Sequence, residues 1–317
     1  MTEDIARSTV TAQEQAVEER KERDAERAYR AAPKLDKSPI HGLWALTNRD
    51  LVKWYKNPVQ LIISLVQPVV WLGLFGKAFN ISGLVSGNLP PAALSAINLG
   101  TFGTTSYFSY LGAGMLAFII LFTAAFSGMS VVWDRRFGFM NKAMSTPVGR
   151  GAIVTAKVLQ SVVRSLIQAA IVLVIAVVLG MDTANFSLMT IGGSFVMLFL
   201  MSFGLSSLFV MLALRSSDWQ TQMAIINLLN LPLLFASNAM LPVKTMPSWL
   251  QSVVGYNPVS YAVDGVRQLL LGSGSSSAAA AGYQVLAPLW VDFSVLTGFA
   301  AVLSVLGIVL SWRLLSK

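Results

Sequence analysis

Between Ala78 and Trp133 the chain runs for 56 residues without one Asp, Glu, Lys or Arg. A water-soluble fold needs charge to cover its surface, so a stretch of this length points to a membrane. The charge that exists is gathered at one end. Residues 1–57 hold 21 of the 38 charged side chains, and the other 260 residues share 17. Hydrophobic residues make up 55% of the chain and charged ones 12%, against a usual ~45–50% and ~25%. The expected fold is an all-α polytopic membrane protein with a charged N-terminal arm.

A crossing helix needs ~20 apolar residues to span ~30 Å of hydrocarbon. On that measure the sequence predicts six spans, at about 58–79, 107–132, 153–179, 186–214, 223–241 and 289–315. The Gly-, Ser-, Pro- and Asn-rich stretch up to Ser106 reads as a loop. Residues 243–272 are apolar but broken by Pro247, Gly255, Pro258 and Gly265. Their unbroken pieces are too short to cross, so they read as two short helices, external and interfacial or re-entrant. The rival reading is a seventh span, which puts the C-terminus outside.

Lys and Arg mark the cytoplasmic side. With the N-terminus inside, 20 of the 23 basic residues fall inside, and only Lys77, Lys244 and Arg267 fall outside. Both termini are therefore expected in the cytoplasm. The net charge of +8 then suits an anionic leaflet, at ~1 kcal/mol per basic residue near the surface, and does not call for nucleic acid.

Missing residues exclude much chemistry. There is no Cys and a single His, His41. That excludes zinc-thiolate sites, iron–sulfur clusters, thiol nucleophiles and multi-histidine metal sites. No metal site and no catalytic residue are expected. No G-x-x-x-x-G-K-[ST] loop occurs to cradle ATP phosphates. Residues 1–30 lack the apolar run of a signal peptide.

Residues 1–37 read as a solvated arm, helical or disordered, because they carry almost no apolar stripe. Residues 38–57 read as an interfacial amphipathic helix. Ile40, Leu43, Trp44, Leu51, Trp54 and Tyr55 fall on one face, with Asn48, Arg49, Asp50, Lys53 and Lys56 on the other. In the fifth span Asn227, Asn230, Leu234 and Asn238 recur on one helical stripe. Amides facing lipid are costly, so this stripe faces either neighbouring helices or a central cavity. Phe118, Phe122 and Phe126, at i, i+4 and i+8 of the second span, would form the opposite wall of a substrate pathway. Asp264 and Arg267, at i and i+3, are expected to pair, as a structural pair or an external gate.

Two motifs carry a family resemblance. One is Asp134-Arg135-Arg136, Gly138, Thr146-Pro147-Val148, Arg150 and Lys157; the other is Leu241, Pro242, Pro247, Trp249, Leu250, Asn257, Pro258, Tyr261, Asp264 and Arg267. In order and spacing they resemble the permease subunits of type-2 ATP-binding-cassette exporters, closest to the daunorubicin-resistance (Drr-type) drug and lipid exporters. The resemblance covers about residues 40–317. It implies export of an amphipathic drug, antibiotic or lipid, driven by a separate P-loop ATPase that binds ATP and Mg, with no cofactor in this chain. It implies two ATPase copies and a second permease, identical or a sister chain, in a bacterial or archaeal plasma membrane.

Under the same resemblance, residues 133–152 become the coupling loop. Asp134, Arg135, Arg136, Gly138 and Met140 would meet the ATPase, and Pro147 and Arg150 would fix where the loop re-enters the membrane. The substrate path would run between the second and fifth spans. Two other classes fit less well. A secondary transporter lacks an ionisable group at mid-span, and a membrane enzyme lacks paired carboxylates or a His cluster.

Overall fold

The computed structural model describes residues 39–78, 90–104, 106–144, 148–216 and 218–314. The charged arm 1–37 and Pro147 lie outside them. Among the described residues the protein is all helical, with no strand. It opens with α1 (Pro39–Tyr55) and α2 (Pro58–Trp71), which continues as a π-helical turn over Leu72–Ala78. Next come α3 (Pro91–Phe102), α4 (Tyr107–Ala125), α5 (Ser127–Arg136) and α6 (Phe139–Met144). The long helices α7 (Arg150–Val178) and α8 (Leu188–Ala213) precede α9 (Trp219–Phe235). Two short helices, α10 (Ser248–Val254) and α11 (Pro258–Leu271), lead through α12 (Ser276–Ala280) to α13 (Leu289–Leu314).

Among the described residues, four helical stretches are long and apolar enough to cross a membrane: Ala93–Arg136, Gly151–Val178, Leu188–Ala213 and Leu289–Leu310. Leu61–Lys77 is apolar but shorter, and α9 has 17 residues. α4 is the axis of the bundle, with every residue buried except Phe122. Serines join its neighbours. Ser165 meets Ser202 at 2.7 Å and Ser206 donates to Ser161 at 2.9 Å. Each pair is spaced i, i+4, so α7 and α8 meet along one polar seam, as small hydroxyl residues do between apolar helices. Thr123 of α4 donates to Gln168 of α7 at 2.7 Å.

Three local expectations are corrected. Residues 91–102, read as loop, form α3. Pro91 sits in its first turn, where the missing N–H is no loss, and Gly103 at φ 68° ends it. The fifth helix stops at Phe235 rather than 241, three residues beyond Pro232. Asn257 then takes up the carbonyls of Leu233 and Ala236 at 2.8 and 2.7 Å. The loop expected over 133–152 is helical up to Met144, in two pieces, because Gly138 turns the chain at φ 70° between α5 and α6.

Candidate functional site

Where α1, α5 and α7 meet, four charges close a ring. Arg49 lies 2.5 Å from Asp50 and 3.0 Å from Asp134. Lys157 lies 2.6 Å from Asp50 and also pairs with Asp134. Each base touches both acids, so the ring is neutral. The sequence predicts Arg49 and Asp50 on the water side of α1, but the structure turns them inward. Lys157 is 5% exposed, and a cation buried that deeply is stable only when paired. Trp44 and Tyr55 lie exposed instead. The Arg49 guanidinium also sits 3.5 Å over the Phe139 ring, which ties α6 to the same cluster.

The ring changes which loop residues reach a partner. Asp134 is committed internally, and Met140, 3% exposed, is packed with Ala143, Ile153 and Val154. Met140 presents no surface and Asp134 little, contrary to expectation. Arg135 donates to the Ser216 carbonyl at 3.4 Å. Arg136 and Gly138 are exposed, and Arg150 opens α7. The outward surface belongs to Trp133 and Phe137, stacked at 5.5 Å and exposed at 43% and 73%. Their i, i+4 spacing is present in the sequence, where the adjacent charges of Asp134, Arg135 and Arg136 mask it.

Farther along the bundle, four rings form a ladder. Phe122 stacks on Phe118 at 4.5 Å, Phe118 meets Trp71 at 6.4 Å, and Trp71 stacks on Phe75 at 4.7 Å. The ladder ends at an apolar pocket of about 280 Å³ whose walls include Trp71, Phe75, Tyr107, Leu234, Phe235 and Met240. Among the described residues no charged side chain lines it. Trp71 and Phe75 come from α2 and its π-helical turn, an irregularity that often accompanies function and that apolar periodicity does not reveal.

The expected stripes are only partly kept. Phe118 is buried, whereas Phe126 is 41% exposed and makes no part of the ladder. Asn227 is exposed, and Asn230 is buried with its Oδ1 unpartnered. Asn238 lies beyond the end of α9, so it does not extend the helical stripe.

Beyond the pocket, Arg267 of α11 is fully buried. Its guanidinium donates to the carbonyls of Asn238 and Ala239 at 2.7 Å each and of Tyr110 at 3.1 and 3.2 Å. It also lies 3.4 Å over the Tyr110 ring. Asp264 turns elsewhere. Its Oδ2 accepts from the N–H of Leu286 and Ala287 and from Gln268 at 2.9 Å. Gln268 donates to Asp292 as well, at 2.9 Å. The expected Asp264–Arg267 ion pair is therefore not made. The unwound chain after α9 leaves carbonyls without helical donors, and these draw the guanidinium away.

Among the described residues, a bundle of helices long and apolar enough to cross a membrane is the architecture of an integral membrane protein. The chain belongs to the ABC-2 type transporter family, whose pattern matches residues 41–271. It is 33% identical to the putative transport permease ycf38 of Pyropia yezoensis over 233 residues, 73% of this chain and 75% of that protein. For the same permease of Cyanophora paradoxa the identity is 31% over 231 residues, covering 73% and 74%. The daunorubicin resistance ABC transporter permease protein DrrB1 of Streptomyces coeruleorubidus is 24% identical over 229 residues, covering 71% and 73%. The chain is thus the membrane subunit of an ABC transporter. Relatives from plastid-bearing algae as well as bacteria do not bear out the expectation of a bacterial or archaeal membrane.

Proposed function

We propose that two copies of this chain, or one copy and a sister permease, form the membrane half of an exporter driven by two P-loop ATPase subunits that bind ATP and Mg. In this reading α2 with its π-helical turn and α9 complete six spans. α10 and α11 lie re-entrant on the outer side, and both termini are cytoplasmic, as the Lys/Arg bias requires.

The observation that carries the reading is the exposed Trp133–Phe137 stack beside Arg136. Buried aromatics and Arg dominate protein interfaces, and here they stand at the end of a spanning helix. The ring of Arg49, Asp50, Asp134 and Lys157 behind them joins that surface to α1 and α7, so a displacement at the loop is delivered to the bundle. The cargo is an amphipathic drug, antibiotic or lipid. The likeness to a daunorubicin-resistance permease and the uncharged aromatic pocket support this class. An exposed amide at Asn227, among exposed Leu228, Leu231 and Phe235, supports a second permease or water against that face of α9, because an amide is poorly placed against hydrocarbon.

The test is copurification with the P-loop ATPase encoded next to this chain, followed by daunorubicin-stimulated ATP hydrolysis. A Trp133→Ala, Phe137→Ala double substitution should lower recovery of the ATPase at least ~10-fold, as expected for an aromatic hot spot. Undiminished recovery and coupling in the double variant would overturn the assignment.

A further inference from the structure

α8 and α13 are pressed together at one level and part at another. At Gly204 a Cβ would lie 2.5 Å from the Phe299 ring, so the helices touch there with no room for a side chain. Toward the coupling-loop end they separate. Met211, Leu212 and Arg215 line one wall of the resulting groove, and Leu306, Val309 and Leu310 line the other. Leu306, Val309 and Leu310 fall on one stripe of α13, and Met211 and Leu212 lie in the last turn of α8. The groove encloses about 370 Å³, and five of its six side chains are apolar. Leu306 and Val309 are about half exposed.

The sixth side chain, Arg215, follows the end of α8 and stands at the mouth. It is exposed and, among the described residues, no carboxylate or carbonyl holds its guanidinium. Arg135 is brought to the same place, donating to the carbonyl of Ser216, the next residue, at 3.4 Å. It too has no acid partner among the described residues. The nearest acid in sequence, Asp218, uses its carboxylate on the Thr221 N–H at 2.8 Å. An apolar groove therefore ends at the Arg215 guanidinium, with Arg135 held at the next residue, and neither has an acid partner among the described residues.

We propose that this groove holds an anionic phospholipid from the leaflet on the coupling-loop side. An acyl chain lies along Met211, Leu306, Val309 and Leu310, and the phosphate meets Arg215 within the field of Arg135. The apolar walls alone do not select a lipid, because surrounding acyl chains are equally apolar. Selection comes from the headgroup charge, since basic pockets between spanning helices hold anionic headgroups. A free phosphate would forgo the groove, and a zwitterionic lipid would forgo most of the charge. The groove lies between α8 and α13, away from the pocket at α2, α4 and α9, so the inference stands apart from the transport reading.

The test uses the purified full chain in detergent with an equimolar mixture of phosphatidylglycerol and phosphatidylcholine of identical chains, and native mass spectrometry to count retained lipid. One phosphatidylglycerol per chain should be retained in preference to phosphatidylcholine. Arg215→Gln should reduce that preference about 5-fold, the effect of one basic residue at a charged surface. Leu306→Trp, which fills the groove away from the charge, should reduce retention of the bound phosphatidylglycerol. Both positions are exposed, and unchanged helicity by circular dichroism would show that the variants fold. Equal retention of the two lipids, or an undiminished preference in Arg215→Gln, would mean ordinary annular lipid and overturn the proposal. Displacement by inorganic phosphate with no effect of Leu306→Trp would mean a phosphate site and would overturn it too. No ATPase enters the experiment, so a negative result leaves the transport reading untouched.

Discussion

Lys157 of α7 and Asp50 of α1 stand 107 residues apart in sequence, and the Lys157 Nζ donates to the Asp50 carboxylate at 2.6 Å. With Arg49 and Asp134 they make the contact through which α1, α5 and α7 hold one another. Lys157 is the most deeply buried of the four side chains, 6% exposed against 23% for Arg49.

That difference in burial ranks the substitutions. Lys157→Met leaves two nearly buried carboxylates facing one another with Arg49 alone, and should cost about 3–5 kcal/mol. Arg49→Met leaves Lys157 bridging both acids, and should cost about 1–2 kcal/mol. Thermal unfolding of the purified chain in one detergent would read the order. Equal losses would mean that the ring is not closed as described.

Two glycines should behave oppositely. A Cβ on Gly114 would lie 2.0 Å from the Ala239 carbonyl oxygen and 3.0 Å from the Arg267 guanidinium. Gly114→Ala must therefore force α4 away from the chain that Arg267 holds, and folded protein should be lost. At Gly138 nothing lies within 4 Å of a Cβ, and the only penalty is φ 70°. Gly138→Ala should cost about 1–2 kcal/mol of backbone strain and leave expression intact. Size-exclusion profiles of the two variants would separate these outcomes.

The sequence made the spans legible because charge is absent from them, and the ends less so. Apolar periodicity sorts a helix into faces, but it cannot say whether a charged face meets water or a distant partner. Arg49 and Asp50 were assigned to water for that reason, since Lys157 and Asp134 are remote in sequence. The i, i+3 spacing of Asp264 and Arg267 permits a pair. It carries no information about the carbonyls that open where α9 ends at Phe235. The Asn227, Asn230, Asn238 stripe assumed a helix running to 241, so Asn238 left it once the helix stopped. Asp292 and Gln268 belong to no recognisable sequence pattern, although they share a hydrogen-bonded cluster with Asp264.

Arg267 tests that account directly. Its fork satisfies three carbonyls at once, which a lysine ammonium does not reproduce. Arg267→Lys should cost at least ~2 kcal/mol through carbonyls left unpaired. Asp264→Asn keeps an oxygen for the Leu286 and Ala287 N–H groups and lifts the repulsion with Asp292, so it should cost less. Equal destabilisation by the two substitutions would restore the ion pair predicted from the sequence.

Asp218 gives a pH dependence with a defined sign. It caps α9, and its hydrogen bonds from the Thr221 side chain and backbone hold its carboxyl below the usual carboxylate value. A lowered folded value means that the cap contributes fully above the unfolded value and is lost as pH falls through the folded one. Asp218→Asn accepts the same N–H without a charge, so its unfolding midpoint should fall less steeply on acidification. Identical acid limbs for the wild type and Asp218→Asn would remove Asp218 from the pH response.

The pocket supplies the sharpest test of where cargo passes. Trp71 stacks on Phe75 and meets Phe118, so it links the ladder to the pocket wall. Trp71→Ala removes both contacts while leaving Trp133 and Phe137 alone. An aromatic pair is worth ~0.5–1.5 kcal/mol beyond its buried area, which corresponds to roughly 2–10-fold in binding. In the complex with its ATPase, the concentration of a neutral aromatic dye giving half-maximal stimulation should rise by that factor, with basal hydrolysis unchanged. Phe126 provides the contrast, being 41% exposed and outside the ladder. Phe126→Ala should leave the dye response where it was. The reverse result, a shift with Phe126→Ala and none with Trp71→Ala, would move the pathway from the pocket to the stripe that the sequence alone predicts.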